Sequence, residues 1–176
     1  MKNISGGQTG IDRAALDAAI VMGVDYGGWC PKGGWAEDFR KPPGLLARYP
    51  LLRETPSAEP MQRTEWNVRD ADRLMILIEV SGIGVSKGTV AARDFALALG
   101  KPHSMIDLDA GDALAQALAC AVDVASASSI GIAGPRESEV PGIYAKAWPF
   151  LCAVLARLGR WTGHRGCAET GTPIEI

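Results

Sequence analysis

The sequence is poor in the residues that most often bind metal ions. It contains only four cysteines and two histidines. The cysteines, Cys30, Cys120, Cys152 and Cys167, lie far apart, and no two of them have the C-x-x-C spacing of a zinc site or a thioredoxin-like motif. We therefore predict no metal site built from the side chains of this protein.

The sequence also lacks an excess of one charge and a long apolar segment. It has 18 basic and 20 acidic residues, with no basic block. Nucleic-acid binding needs a positive surface, so we predict no nucleic-acid partner. No apolar run is long enough to cross a membrane, and the first six residues lack the hydrophobic region of a signal peptide. We expect no membrane partner and a cytoplasmic location.

The composition is typical of a soluble globular protein. The chain has 176 residues, of which 47% are hydrophobic and 22% are charged. This length corresponds to one domain. We expect residues 1–158 to form that domain and residues 159–176 to form a glycine-rich C-terminal tail.

Short apolar strands alternate with amphipathic helices along the chain. The run Leu74–Ile78 is apolar at every position, which is typical of a strand buried on both faces of a parallel sheet. The predicted strands are Lys2–Ser5, Tyr26–Cys30, Leu74–Ile78, His103–Leu108 and Ser129–Ala133. This alternation predicts a Rossmann-like three-layer α/β domain with a mostly parallel sheet.

Two local features add detail to this prediction. The helix that begins near Ile11 has Thr9 as its expected N-cap, with Asp12 in a capping-box-like position. Residues 31–60 show no period, and a connection of this length without regular structure is usually a functional loop or a lid.

Three glycine-rich loops, at residues 5–10, 81–89 and 134–140, connect a predicted strand to a helix. In a parallel sheet these loops meet at the carboxyl edge, where ligands bind. Glycine lets backbone N–H groups approach an anion, and each helix N-terminus adds about half a positive charge. The predicted anion-binding residues are Gly6, Gly7, Gln8, Thr9, Gly10, Ser86, Lys87, Gly88, Thr89, Gly134 and Arg136. A valine at Gly7 is then expected to weaken phosphate binding far more than it lowers the melting temperature.

Each loop also has a purely structural interpretation. A glycine-rich turn can be only a tight connection, Thr9 and Asp12 can be only helix caps, and Arg136 and Glu137 can be only a solvated pair. The P-loop pattern and the nucleophile elbow are absent, and Lys87 stands where a dinucleotide fingerprint starting at Gly82 would need its third glycine. Three loops at one edge nevertheless favour a ligand site.

The first loop and its helix, Ser5–Asp17, resemble the opening of the molybdenum cofactor carrier proteins. Those proteins are similar to circularly permuted members of the SLOG superfamily, which are Rossmann-like nucleotide-ligand binders related to LOG phosphoribohydrolases. The resemblance extends to about Leu158. It continues through Gly27–Gly33, Ala36–Asp38, Tyr49–Leu51, Arg63–Asp72, Ala133–Ser138 and Pro141–Tyr144.

The resemblance implies a Rossmann-like fold, a homo-oligomer that is often a tetramer, and binding of the molybdenum cofactor, a phosphorylated pterin, as cargo. By analogy, the phosphate would lie on the Gly6–Gly10 loop or at Gly88 and Thr89. Lys32, in one of the matched segments, is a further candidate binding residue. Molybdoenzymes would be the recipients of the cargo.

The chain departs from the related hydrolases at one position that bears on catalysis. LOG-type hydrolases carry a glutamate just after their Gly-Thr pair, whereas Val90 follows Thr89 here. The resemblance therefore favours a non-enzymatic carrier of the molybdenum cofactor. The alternative is a hydrolase or transferase acting on nucleotide-derived ligands, with an acid or base among Asp12, Glu37, Asp38 and Glu65.

Overall fold

A computed structural model describes residues 1–79, 86–122 and 128–163. The described residues form a sheet of parallel strands with helices on both faces. The strands are β1 (Lys2–Ile4), β2 (Asp25–Cys30), β3 (Leu52–Glu54), β4 (Arg73–Ile78), β5 (His103–Asp107) and β6 (Ser129–Ala133). The helices are α1 (Ile11–Val21), α2 (Leu45–Arg48), α3 (Pro60–Asp70), α4 (Lys87–Ala98), α5 (Ala113–Val122) and α6 (Ile143–Gly163).

The strand order across the six-stranded sheet is β3-β2-β1-β6-β4-β5, and every neighbouring pair is parallel. The chain moves outward from β1 to β2 and β3 on one side, and from β4 to β5 on the other. Strand β6 returns between β1 and β4. The predicted fold class is confirmed, and the direction of winding changes around β1, β6 and β4, where a ligand site is expected.

The alternating side chains of β4 show how the sheet is covered. Met75 and Leu77 belong to the core cluster formed with α1, α5 and α6. Leu74 and Ile76 pack on the opposite face, with side chains of α3 and α4. Because both faces are covered, the strand has no polar side, and the prediction from its continuous apolar run is confirmed.

Residues 31–60 contain more regular structure than the sequence predicts. Strand β3 extends the sheet beyond β2, and the side chains of Leu45, Tyr49 and Leu52 are buried in a separate cluster against α1. The expectation of a connection without secondary structure is wrong here. Elements of only three and four residues are too short to produce a recognisable period.

The N-terminus of α1 differs in detail from the sequence prediction. The N-cap of α1 is Gly10, not Thr9, and no side chain caps this helix. Helix α4 begins at Lys87, directly after Ser86, whose side chain accepts a hydrogen bond from the Thr89 amide at 3.1 Å.

Helix α6 continues to Gly163, beyond the expected domain boundary at residue 158. The rest of the expected tail, residues 164–176, and the first part of the loop 81–89 lie outside the described residues. Among the helices of the described ranges, none combines the length and the hydropathy that a membrane span requires.

Candidate functional site

A cleft of about 220 Å³ lies at the carboxyl edge of the sheet, where the direction of winding changes. Its walls come from the loop after β1, the N-terminal turns of α3 and α4, and the loop after β6. The lining residues are Gln8, Asp12, Pro60, Met61, Arg63, Thr64, Ser86, Lys87, Gly88, Ala92, Ala133, Gly134, Arg136 and Glu139. The topology therefore brings parts of all three predicted loops to one cavity.

The structure divides the predicted binding residues into those in the cleft and those elsewhere. Six predicted residues lie in its wall, namely Gln8, Ser86, Lys87, Gly88, Gly134 and Arg136. Thr89 is buried beneath them, with its hydroxyl 2.6 Å from that of Ser86. Lys32 is exposed after β2, and its backbone N–H donates to Ser57. Lys32 is not among the residues that line the cleft.

The loop after β1 separates the cleft from a second pocket of about 300 Å³, which Thr9 and Gly10 line. In that pocket the Asp17 carboxylate accepts hydrogen bonds from the hydroxyls of Tyr49 and Tyr144, at 2.7 and 2.9 Å. Burial, together with this carboxylate, raises the pKa of Tyr144 to about 12. These polar groups serve the packing of α1 against α2 and α6.

Several of the loop glycines are required by the packing of the protein itself. Gly7 has a φ of +70°, and a Cβ there would lie 3.1 Å from a methyl carbon of Leu52. A Cβ at Gly134 would lie 2.4 Å from the carbonyl oxygen of Leu77. A valine at Gly7 is therefore expected to lower stability as well as any binding, so this substitution does not isolate a ligand contact.

Gly88 differs from these glycines because the fold does not require it. It lies in the first turn of α4, and among the residues that the structure describes the nearest atom to a Cβ at this position would be Ser86 Oγ at 4.0 Å. Glycine weakens a helix relative to alanine by roughly 0.5–1 kcal/mol. Because Gly88 has no side chain, it leaves open space in the cleft at the N-terminus of α4.

Both helices that begin at the cleft present a positive end to it. The first turns of α3 and α4 contain no acidic residue. Lys87 is exposed, and the Arg136 guanidinium lies 4.0 Å from Glu139, which also accepts a hydrogen bond from the Arg136 amide. The N-termini of α3 and α4 and these side chains together form an environment that suits a phosphate group.

The buried ion pair between Arg63 and Asp12 lines the cleft. Arg63 Nη1 donates to Asp12 Oδ2 at 2.7 Å, and the two side chains are 13% and 6% exposed. Burial raises the pKa of Asp12, although the Arg63 charge, its hydrogen bond, the Gln8 amide and the Arg13 charge all act to lower it. The backbone N–H of Gln8, in the loop that the sequence predicted to bind an external anion, thus acts to lower the pKa of an internal carboxyl.

Arg63 is a basic residue of the cleft lining that the sequence analysis missed. Arg63 lies in one of the segments that carry the resemblance. However, the sequence does not predict β3, the strand that precedes α3. Without that strand, the sequence does not indicate that the N-terminus of α3 lies at the carboxyl edge of the sheet.

Glu37 forms hydrogen bonds to the loops around the site. Its backbone N–H donates to the Gln8 side chain at 2.9 Å, and its carboxylate accepts from the hydroxyls of Thr9 and Ser138. Burial would raise the pKa of Glu37, but the hydrogen bonds from Thr9 and Ser138 outweigh it and lower the pKa. Glu37 therefore connects the loops after β1, β2 and β6.

The remaining candidate acids and the candidate thiol have other surroundings. Asp38 accepts two hydrogen bonds from the buried Arg13 guanidinium, at 2.8 and 2.9 Å. Glu65 is exposed on α3 and does not line the cleft. Cys30 is buried, and burial raises its pKa to about 11, so it is a thiol at neutral pH. Asp12 is the one of the four candidate acids that lines the cleft.

The described residues contain no group of three or more histidine, cysteine, aspartate or glutamate side chains that could hold a metal ion. What the cleft offers instead is helix N-termini, hydroxyl groups and the cations Lys87, Arg63 and Arg136, of which the two arginines lie beside the carboxylates of Asp12 and Glu139. This arrangement can bind an anionic group and orient it.

The chain was compared with protein families, solved structures and curated proteins. The model of the circularly permutated YpsA SLOG family matches residues 3–155. A crystal structure from Syntrophus aciditrophicus, described as "Putative molybdenum carrier protein", is similar with a TM-score of 0.76 and 39% sequence identity. The match covers 88% of this chain and 93% of that chain. No curated protein matches. These findings support a ligand-binding role, and the chain belongs to the circularly permutated YpsA SLOG family.

Proposed function

We propose that the protein binds the phosphate of a phosphorylated pterin in the cleft and carries the molybdenum cofactor without changing it. The observation that carries this proposal is the open N-terminus of α4 at Gly88, which lines the cleft together with Lys87 and Arg136. A helix N-terminus with nearby cations is a common phosphate site in proteins. The resemblance to the molybdenum carrier protein supports the choice of cargo.

The apolar part of the cleft suits a ring system attached to the phosphate. Met61 is 51% exposed at the start of α3, and Ala92 and Ala133 also line the cavity. Methionine is polarisable and makes favourable contacts with aromatic rings. A pterin extending from a phosphate at α4 would thus meet an apolar surface.

A Gly88→Ala substitution separates binding from folding. Alanine is sterically allowed at this position and favours the helix, so the melting temperature should stay equal or rise slightly. The added methyl group occupies the space proposed for the phosphate, and we expect affinity for the nucleoside monophosphate GMP to fall about tenfold or more, the effect of losing one charged hydrogen bond. Calorimetric titration and thermal unfolding measure the two effects.

Gly111→Ala is the matched control, because a Cβ at this exposed glycine meets no atom of the described residues within 4 Å and Gly111 does not line the cleft. It should leave affinity unchanged. Equal affinity of wild-type and Gly88→Ala proteins for GMP would remove the N-terminus of α4 from the site.

The carrier function predicts that the cargo survives incubation with the protein. The molybdenum cofactor is incubated with the protein, and the small molecules in the mixture are analysed by mass spectrometry over time. A parallel sample contains GMP in place of the cofactor. We expect both compounds to be recovered intact, and the cofactor to persist longer than in buffer. The loaded protein should then activate a cofactor-free molybdoenzyme, and Gly88→Ala should do so less well.

The enzymatic alternative depends on Asp12, since this carboxyl lines the cleft and its pKa is raised. A steady release of free base or inorganic phosphate from GMP that is lost in Asp12→Asn would favour a hydrolase over a carrier. Intact GMP after long incubation would exclude hydrolysis of this substrate. Assembly into a homo-oligomer and a cytoplasmic location belong to the carrier proposal as well, and sedimentation of the purified protein tests the first of them.

A further inference from the structure

The loop after β1 lies beside an anionic side chain of the protein itself. Asp12 lies in the first turn of α1, and the backbone N–H of Gln8 acts to lower the pKa of its carboxyl group. The N-terminal end of this helix and the loop amide therefore stabilise an internal carboxylate. An external phosphate at the same place would meet a buried negative charge.

What the loop presents to the cleft is a cation bound to that carboxylate. A Cβ at Gly6 would lie 1.9 Å from Arg63 Nη1 and 2.8 Å from Arg63 Cζ. The guanidinium thus lies directly against the loop backbone, in space that only glycine leaves free. Asp12 and Gly6 together fix the position of a side chain that would otherwise have many rotamers.

The fixed guanidinium lines the same cleft as the start of α4. A guanidinium has five N–H donors in a plane, and Asp12 accepts from Nη1. Arg63, Lys87 and Gly88 all line the cavity. A terminal phosphate has three oxygens, so it can accept hydrogen bonds from an arginine on one side and from a helix N-terminus on another.

We propose that Arg63 binds the phosphate of the ligand, and that Asp12 is a positioning residue that holds the Arg63 guanidinium against Gly6. This inference rests on the proposed phosphate site at the N-terminus of α4, and it adds the Arg63 guanidinium as a second set of hydrogen-bond donors to the phosphate. It assigns the ligand class as phosphate monoesters, because a monoester leaves three oxygens for the two sets of donors. A phosphodiester leaves only two.

The test uses the full chain with inorganic phosphate and GMP as probes. Arg63→Lys keeps the positive charge but loses the planar pair of donors. We expect it to weaken GMP binding about 10- to 100-fold, the range for a hydrogen bond to a charged group. Nuclear magnetic resonance of the arginine side chains reports the contact directly, because the Nε–H signal of Arg63 should shift when either probe is added.

Arg13→Lys is the matched control, since Arg13 is also a buried arginine paired with an aspartate, Asp38, but lies toward the second pocket. It should lower stability without weakening GMP binding. If Arg63→Lys does not fold, the double variant Asp12→Asn with Arg63→Gln removes both charges of the pair, and it should fold without binding GMP.

Asp12→Asn tests the positioning role. The neutral amide holds the guanidinium less firmly, so GMP binding should weaken several-fold, as one weaker hydrogen bond implies, and the Arg63 Nε–H signal should broaden. Tighter binding in this variant would show that Asp12 only repels the ligand and would overturn the positioning role.

The two proposals fail in different ways. If wild-type protein binds neither probe, the phosphate site itself is wrong. If wild-type protein binds GMP and Gly88→Ala weakens it, the site at α4 stands. Unchanged GMP binding in Arg63→Lys, with no shift of the Arg63 signal, would then overturn the role of Arg63 alone. Equal affinity for GMP and for a dinucleotide phosphodiester would overturn the assignment to monoesters.

Discussion

Replacing Arg63 by methionine should lower the free energy of unfolding by about 3–5 kcal/mol at neutral pH, the usual loss when one partner of a buried ion pair is removed. Methionine retains much of the side-chain volume, so the loss reports the missing charge. Asp12 would remain almost completely buried, at 6% side-chain exposure, without the guanidinium that binds it. Chemical denaturation of both proteins measures the difference.

The loss should depend on pH in a direction that follows from the raised pKa of Asp12. A carboxyl whose pKa is higher in the folded state favours folding when protonated, and this stability declines as the pH rises through the folded pKa. Arg63 lowers that pKa in the wild-type protein, so Arg63→Met raises it further. The stability difference between the two proteins should therefore be smaller at about pH 5 than at about pH 7.5.

The double variant Asp12→Asn with Arg63→Met is the control for this interpretation. It removes the unpaired charge, and it should recover most of the stability that Arg63→Met loses. A loss of equal size at both pH values, with no recovery in the double variant, would show that Arg63 contributes through packing alone.

The parallel sheet with helices on both faces could be predicted because its central strands have unambiguous sequence patterns. Strand β4 is buried on both faces, and its apolar run allows no alternation. Strand β6 was predicted with the same bounds that the structure shows. The order of the strands was not predictable, because local patterns do not specify which strands pair.

The region between β2 and α3 could not be predicted because its stability comes from long-range contacts. Leu45, Tyr49 and Leu52 are buried against Leu16 of α1, which is distant in sequence. A strand of three residues depends on such contacts and leaves no period of its own. Missing β3 meant missing the orientation of α3, and with it Arg63.

The glycines show a second limit of prediction from sequence. The sequence places Gly10, Gly88 and Gly134 alike in glycine-rich segments that follow predicted strands, and nothing local distinguishes them. The structure does so by the atoms that a side chain would meet. At Gly10 and Gly134 the backbone of another loop or strand is in the way, whereas at Gly88 there is open space.

Gly10→Ala should be strongly destabilising, with a loss of about 3 kcal/mol or more. With a φ of +76° and a ψ of −130°, Gly10 lies outside the left-handed helical region, in a part of φ/ψ space that is populated mainly by glycine, and alanine there costs about 1–3 kcal/mol. In addition, the new Cβ would lie 2.4 Å from the carbonyl oxygen of Pro135, which accepts a hydrogen bond from the Ile11 amide. Relieving this clash requires a backbone shift, which typically costs a further 1–3 kcal/mol or so.

The control is Gly23→Ala, because Gly23 has a similar φ of +64° but no atom within 4 Å of the new Cβ. It should lose only the backbone term, about 1 kcal/mol. The difference between the two variants combines the contact between the loops after β1 and β6 with the additional backbone strain at the ψ of −130° of Gly10. Since the loop after β6 carries Arg136 into the cleft, Gly10→Ala should also weaken GMP binding, whereas Gly23→Ala should not. Equal destabilisation by both substitutions would mean that the contact between the loops contributes nothing to stability.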